Sequence, residues 1–367
     1  MQKIVLINHL KEPGNKITGI TNYLFYLLDE LLLGDDFSYV LLTCWDENNL
    51  PDMLRGRNLK IITRPFIEST PKNILNQLFT VPRLARELGC VLEFNPNPVG
   101  CFIGSVPLVS TTHDLYFNVS PGSYKKRHRT WWNIFFPLTL RRSSKNISVS
   151  ENTQRDLLNF YPWATEKTCV VKEAACLEGY VQPVERGHFG LFVANITPNK
   201  GADVLLKALA VLETRGCPCR VFHIGRDSDR YIERYTGELA LTSPPEKLGY
   251  VADAQLCVQY SQARFLVFPS LYEGFGLPVL EAQKYGLPVI ASDIRVLKEV
   301  AGEGALYFHV NDVEDLADKI QLLMSDNNLW SELSAKAIMN ERKFSWQKAA
   351  YETEQVFQGV LTRQAEC

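Results

Sequence analysis

The sequence lacks the features that would put it in a special class. Across 367 residues the charges nearly cancel, leaving −2, so no field of one sign invites nucleic acid. No cationic segment leads into an apolar stretch at the start. No run of 18 apolar residues occurs anywhere, so neither a signal peptide nor a membrane-spanning helix is expected. The nine cysteines are scattered and odd in number. Cys217 and Cys219 have no second pair to complete a zinc site, so reduced thiols in a cytoplasmic setting are the expectation. No Asp-x-Asp stands in a loop suited to a metal-bound diphosphate, and no metal is expected. What is present is ordinary. Hydrophobic residues make up 46% and charged residues 22%, as in a soluble globular protein. The length exceeds one typical core and calls for two domains.

Short apolar runs alternate with segments of helical spacing. Strands are expected at 3–8, 39–43, 59–62, 91–94, 107–111, 146–149 and 168–171. A second series follows at 190–195, 220–225, around 248, 265–268 and 289–291. Between them lie helical patterns such as Ile20, Leu24, Leu27, Leu28, Leu31 and Leu32, residues 74–86, and residues 202–212. Ser150, Asn152 and Thr153 offer several caps for a helix running to Phe160, and Asp253 is expected to cap the helix holding Leu256 and Tyr260. The alternation predicts an α/β protein with parallel, doubly wound sheets and ligands at the carboxyl ends of strands. Residues 174–188 contain Gly179, Pro183 and Gly187 without a clear period and read as a linker. The expected domains are 1–175 and 176–343, followed by a C-terminal helix in 344–367.

Residues 264–293 carry the densest chemistry. The apolar strand 265–268 leads into a loop with Glu273, Gly274, Phe275 and Gly276. Pro278 suits the first turn of a helix, and Glu281 is expected inside that turn. A loop that opens a helix at the end of a parallel strand offers free N–H groups and a positive dipole end, which is a phosphate site. Carboxylates repel phosphates, so Glu273 and Glu281 would instead accept hydrogen bonds from ribose or sugar hydroxyls. The stretch reads as a site for a sugar nucleotide. The plainer alternative is a strand, turn and helix with two surface carboxylates. Lys200, after Ala194-Asn-Ile-Thr-Pro-Asn, starts the helix at 202 and points where a diphosphate would lie.

The pattern Glu-Gly-Phe-Gly-Leu-Pro-x-x-Glu, preceded by Phe-Pro-Ser and followed by Gly-Leu-Pro-Val-Ile-Ala-Ser, resembles the retaining GT-B glycosyltransferases of family 4. Glu273 and Glu281 match their Glu-x7-Glu motif. The resemblance implies two Rossmann-like domains facing across a cleft, the first for the acceptor and the second for the sugar nucleotide. It implies that Glu273 holds the donor sugar, Glu281 the ribose, and the amides of Gly274, Phe275, Gly276 and Leu277 the sugar and diphosphate. Lys200 matches the phosphate-binding lysine, and Gly249, Tyr250 and Val251 would hold the base through backbone groups. An arginine common before that lysine is missing; Asn195 and Asn199 stand at the candidate positions, which leaves the charge to Lys200, amides and Arg226. The terminal helix would cross back to the first domain. Asn-Ile-x-Pro-x-Lys with Leu-Tyr-Glu-Gly-Phe-Gly-Leu-Pro further resembles bacterial mannosyl- and rhamnosyltransferases of surface polysaccharide assembly. This favours GDP-mannose as donor substrate over UDP-glucose or a dTDP-sugar, with no cofactor. The acceptor would be a saccharide or lipid-linked hydroxyl. A non-catalytic sugar-nucleotide or glycan-binding protein with a degenerate cleft is the rival reading.

In the first half, His113 and Asp114 stand just past a strand end in Val109-Ser-Thr-Thr-His-Asp-Leu. The segment resembles the family's His-Asp-Leu, which implies a place for His113 near donor sugar and acceptor, with front-face attack and the leaving diphosphate helping to take the acceptor proton. A packing role is the alternative. The loop 11–19 resembles the family's first loop, best at Gly19-Ile20-Thr21-Asn22-Tyr23. Residues 115–150 hold seven Lys or Arg and no acid, with Trp131, Trp132, Phe135 and Phe136 among them. Three readings stay open for 123–145: an anionic membrane surface at the inner face of the cell membrane, a lipid-linked pyrophosphate acceptor, or aromatics in the core with solvated cations.

Overall fold

The computed structural model describes residues 3–13, 17–123, 125–177, 179 and 186–365. Gly14 of the first loop and Pro183 of the expected linker lie outside them. The chain divides into two compact units, Met1–Glu173 with Ser345–Cys367, and Ala174–Phe344.

Unit 1 begins with β1 (Lys3–His9), α1 (Gly19–Leu31), β2 (Phe37–Thr43), β3 (Leu59–Thr63), α2 (Thr70–Glu87), β4 (Leu92–Asn95) and β5 (Leu108–Thr112). It continues with α3 (Tyr116–Val119), α4 (Lys126–Arg142), β6 (Lys145–Ser148), α5 (Glu151–Phe160) and β7 (Thr168–Val170). Unit 2 holds β8 (Phe189–Val193), α6 (Ala202–Thr214), β9 (Arg220–Ile224), α7 (Tyr231–Leu239), β10 (Glu246–Gly249), α8 (Asp253–Gln262) and β11 (Phe265–Phe268). Then come α9 (Leu277–Lys284), β12 (Val289–Ser292), α10 (Arg295–Ala301), β13 (Ala305–Phe308), α11 (Val313–Ser325) and α12 (Asn327–Glu341). The last helix, α13 (Trp346–Ala365), belongs to unit 1.

Each unit is a parallel sheet with order β3-β2-β1-β4-β5-β6-β7 in unit 1 and β10-β9-β8-β11-β12-β13 in unit 2. These are doubly wound α/β sheets, as the alternation predicts. The physical cause is visible in the strands. Val5 to Ile7 and Phe265 to Phe268 are at most 1% exposed, because helices cover both faces of the sheet. The strand β13 and helices α7, α10 and α12 were not foreseen. Several of them are short, and Tyr307 and Leu306 give too little of a run to stand out.

Local signals set several boundaries. Of the three candidates, Ser150 caps α5, accepting a hydrogen bond from the Thr153 amide at 2.9 Å. Asp253 does not cap α8; it is the first helical residue, and Ala252 holds the cap position without a side-chain bond. The terminal helix, expected within 344–367, begins at Trp346. Trp346 stacks on Tyr26 at 5.9 Å and meets Tyr23 edge-on, while Phe357 sits edge-on to Phe37 and Phe94. Tyr39 donates to Glu354 at 2.8 Å. These contacts anchor α13 to the first sheet and to α1 of its own unit.

Candidate functional site

In unit 2 the strand order reverses at β8 and β11, so the loops leaving their carboxyl ends diverge and open a crevice. The loop after β8 ends at Lys200 and Gly201; the loop after β11 runs through Glu273 to Gly276. Three hydrogen bonds tie them. The Leu271 amide donates to the Asn199 carbonyl at 2.7 Å, and the Asn199 side chain donates to the Tyr272 carbonyl at 3.1 Å. Lys200 Nζ donates to Glu273 Oε1 at 2.6 Å. The approach is close enough to require glycine. A Cβ on Gly201 would lie 2.0 Å from the Pro269 carbonyl oxygen, and its φ is +64°. Gly276, at φ +104°, turns the chain into α9, with Pro278 in the first turn. The N-terminus of α9 therefore stands beside the Lys200–Glu273 pair and adds a partial positive charge.

The helix begins at Leu277, so Glu281 sits at the start of the second turn rather than within the first. Its carboxylate is buried, 8% exposed, and accepts from the Tyr260 hydroxyl at 3.1 Å. Burial pushes the Glu281 carboxyl up to about 7, against the opposing pull of that hydrogen bond. Burial likewise holds the Tyr260 phenol in its protonated form. Gly274 and Phe275 complete the loop, with Phe275 buried against Phe344 at 6.0 Å. Lys200 and Glu273 were expected to have separate tasks, diphosphate and sugar; here each is the other's partner.

The segment expected at the base is divided. Gly249, at φ +70°, and Tyr250, 69% exposed, line an open cavity of about 520 Å³ with Arg226, Asp227 and Lys247. Val251 is buried and does not line it. The sequence's Asp227-Ser228-Asp229 starts here, but Asp227 accepts from the Tyr231 and Ile232 amides at 2.6 and 3.2 Å. Its carboxylate is committed to the start of α7.

His113 belongs to unit 1, just past β5. Its Nδ1 lies 3.0 Å from Glu173 Oε1 and its Nε2 2.9 Å from the Pro96 carbonyl oxygen. Tyr23 meets the ring edge-on at 4.8 Å. Both ring nitrogens are thus engaged, and a substrate hydroxyl must displace the Pro96 carbonyl to reach Nε2. Asp114 accepts from the Tyr116 amide at 2.9 Å, while Leu115 holds the cap position of α3.

The residues 182–344 match the family model described as glycosyl transferases group 1, and residues 17–174 match that of Glycosyltransferase Family 4. The chain is a GT-B glycosyltransferase. The O-antigen chain mannosyltransferase B of Escherichia coli is 28% identical over 266 residues, 67% of this chain and 68% of that one. The serotype-specific mannosyltransferase WbdA of Escherichia coli is 29% identical over 243 residues, 57% of this chain but 28% of that longer one. Among solved structures, sucrose-phosphate synthase from Thermosynechococcus elongatus superposes with a TM-score of 0.78 at 20% identity, covering 99% of this chain and 100% of that one.

Three residues of the glycosyltransferase escaped the sequence reading as site neighbours. Asn199 clamps the two loops, Tyr260 holds Glu281, and Glu173 holds His113. Asn199 adjoins the noted lysine, so a local signal existed. Tyr260 and Glu173 are 21 and 60 residues from their partners, and no spacing rule reaches that far. The aromatics of α4 resolve in favour of packing. Phe136 is buried, and Trp131, Trp132 and Phe135 pack on the cluster of Leu115, Phe117 and Leu140. The helix instead exposes Ile134 (48%) and Leu138 (36%) beside its cations.

Proposed function

We propose that this glycosyltransferase is a retaining, metal-independent hexosyltransferase. It moves mannose from GDP-mannose to a hydroxyl of a saccharide or lipid-linked acceptor in surface polysaccharide assembly. The single observation that carries the reading is the Lys200–Glu273 pair beside the N-terminus of α9 at the reversal of the second sheet. A diphosphate entering there attracts Lys200 and the helix N-terminus, and in doing so frees Glu273 to accept from hydroxyls of the donor sugar. Glu281 accepts from the ribose, and backbone groups near Gly249 and Tyr250 hold the base. Mannose is favoured by the names of the relatives, two O-antigen or serotype-specific mannosyltransferases.

In the proposed reaction the bond from the anomeric carbon to the diphosphate oxygen breaks. The acceptor oxygen bonds to the same face, and its proton passes to the departing diphosphate. Lys200 and the α9 amides stabilise the charge that builds on that leaving group. His113, held by Glu173 at 3.0 Å, is the candidate contact for the acceptor within unit 1. The outward face of α4, with Ile134 and Leu138 among Lys126, Arg127, Arg129 and Arg141, supports contact with an anionic membrane surface at the cytoplasmic side. No helix among the described residues is long and apolar enough to cross a membrane.

A second reading, a non-catalytic sugar-nucleotide binder, is favoured by Asn195 and Asn199 where a second cation is expected. A donor panel separates the two. Nucleoside diphosphate released slowly with free sugar, from GDP-mannose above other donors, supports the enzyme. Tight donor binding with no release and no transfer to any acceptor sinks it.

A further inference from the structure

The first sheet has its own reversal point, at β1 and β4. The loops leaving those strands carry Lys11 and Val99. Between them, the start of α2 and the helix α4 lies a cavity of about 120 Å³, lined by Lys11, Thr70, Asn73, Gln77, Val99 and Trp131 among others. It has room for a phosphate-sized group and not for an oligosaccharide.

The wall of this cavity is rich in donors. Lys11 Nζ lies over the indole rings of Trp131 and Trp132, 5.4 and 4.5 Å from their centroids. Among the described residues no carboxylate forms an ion pair with it, although Glu12 and Asp114 act on it from farther away. Burial pushes its ammonium down to about 8. The buried Trp131 indole N–H has no acceptor among the described residues. The N-terminus of α2 also opens here, and Ser69 at its cap position makes no side-chain capping bond. The acceptors that could have satisfied these groups are occupied elsewhere. Asn73 Oδ1 takes the Gln77 amide at 2.5 Å, and Gln77 Oε1 takes the Asn8 amide at 3.1 Å. Glu68, exposed, is the one carboxylate among the described residues of the lining. A half-buried cation, an unpaired N–H and a helix N-terminus around one small cavity call for an anion from outside.

We infer that this cavity is an anion subsite of unit 1, in which Lys11, the Trp131 N–H and the N-terminus of α2 bind a phosphate group of the acceptor. The inference rests on the glycosyltransferase reading for the word acceptor. It makes the preferred acceptor a phosphorylated one, lipid-linked or not, and gives Lys11 a specificity role. The base of the site is rigid, because Asn73 also donates to the Leu10 carbonyl at 3.0 Å and so fixes the residue before Lys11.

The test needs neither donor nor acceptor, so a failure of the transfer reading leaves it intact. Inorganic pyrophosphate is titrated calorimetrically into the full chain and its variants. The Lys200→Met chain removes the cation of the second unit and is expected to keep one saturable event. Adding Lys11→Met is expected to weaken that event about tenfold, the loss of one charge-assisted bond, and Lys11→Arg to restore it. Trp131→Phe in the Lys200→Met background keeps the ring, removes the N–H and is expected to weaken binding severalfold. It decides the matter if Lys11→Met does not fold. Equal pyrophosphate binding with and without Lys11, or no saturable event once Lys200 is gone, overturns the subsite. Acetate binding tighter than inorganic phosphate overturns the assignment to phosphate.

Discussion

The two reversal points of this protein are built in opposite ways. In unit 2 the crevice is lined by residues close in sequence, 269–281, together with one short loop, 194–201. In unit 1 the corresponding cavity draws on residues near 11, 70, 99 and 131, from two loops and two helices. Both place cations and helix N-termini at the carboxyl ends of parallel strands. Local assembly leaves a motif in the chain; remote assembly leaves single residues that look ordinary until folding brings them together.

The comparison can be broken most strongly at its glycines. Gly201→Ala puts a methyl group into the Pro269 carbonyl at an unfavourable φ. It is expected to cost roughly 3 kcal/mol, visible as a lower urea midpoint, and to part the two loops. Gly19→Ala at the start of α1 in unit 1 meets nothing within 4 Å and should leave stability within about 0.5 kcal/mol. Equal losses at the two positions would remove the claim that the second crevice is the tightly clamped one.

Glu273→Ala should lower turnover roughly 100-fold with a smaller change in donor binding, since it loosens the sugar rather than the nucleotide. Steady-state kinetics with the best donor of the panel measure this. Unchanged turnover would return the Lys200–Glu273 pair to a purely structural role.

Glu281 offers a pH test with a worked sign. Its folded carboxyl titrates near 7 against 4.5 in the unfolded chain. The folded state therefore holds the proton more tightly. Its contribution to stability is full below pH 4.5 and is lost as pH rises towards 7. Nucleotide affinity should move the other way, because ribose hydroxyls need the ionised acceptor. Affinity is expected to rise about tenfold as pH passes through 7, and Glu281→Gln should flatten that rise. A wild-type profile that the Gln variant reproduces would count against the ribose assignment.

The smallest effect is expected on the surface of unit 1. Ile134→Ser with Leu138→Ser should weaken sedimentation with anionic vesicles severalfold while leaving the thermal midpoint almost unchanged, since both side chains are well exposed. Binding that persists would move the membrane contact elsewhere.

The chain itself determined the two parallel sheets, because strands buried on both faces must be continuous apolar runs and the crossovers between them must be helical. It also determined the Glu-Gly-Phe-Gly loop and its helix, since a tight turn at positive φ demands glycine at a fixed place. Only the tertiary structure decided what those residues touch. Lys200 meets Glu273 across 73 positions, Tyr260 meets Glu281, and His113 has both nitrogens taken by Pro96 and Glu173. It also turned the α4 aromatics inward and set Lys11 over two indoles. Hydrogen bonds and cavities form between segments whose separation in sequence carries no periodic signal. Backbone pattern is local and can be read along the chain, whereas the pairing of side chains is fixed only when the sheet brings its loops to one edge.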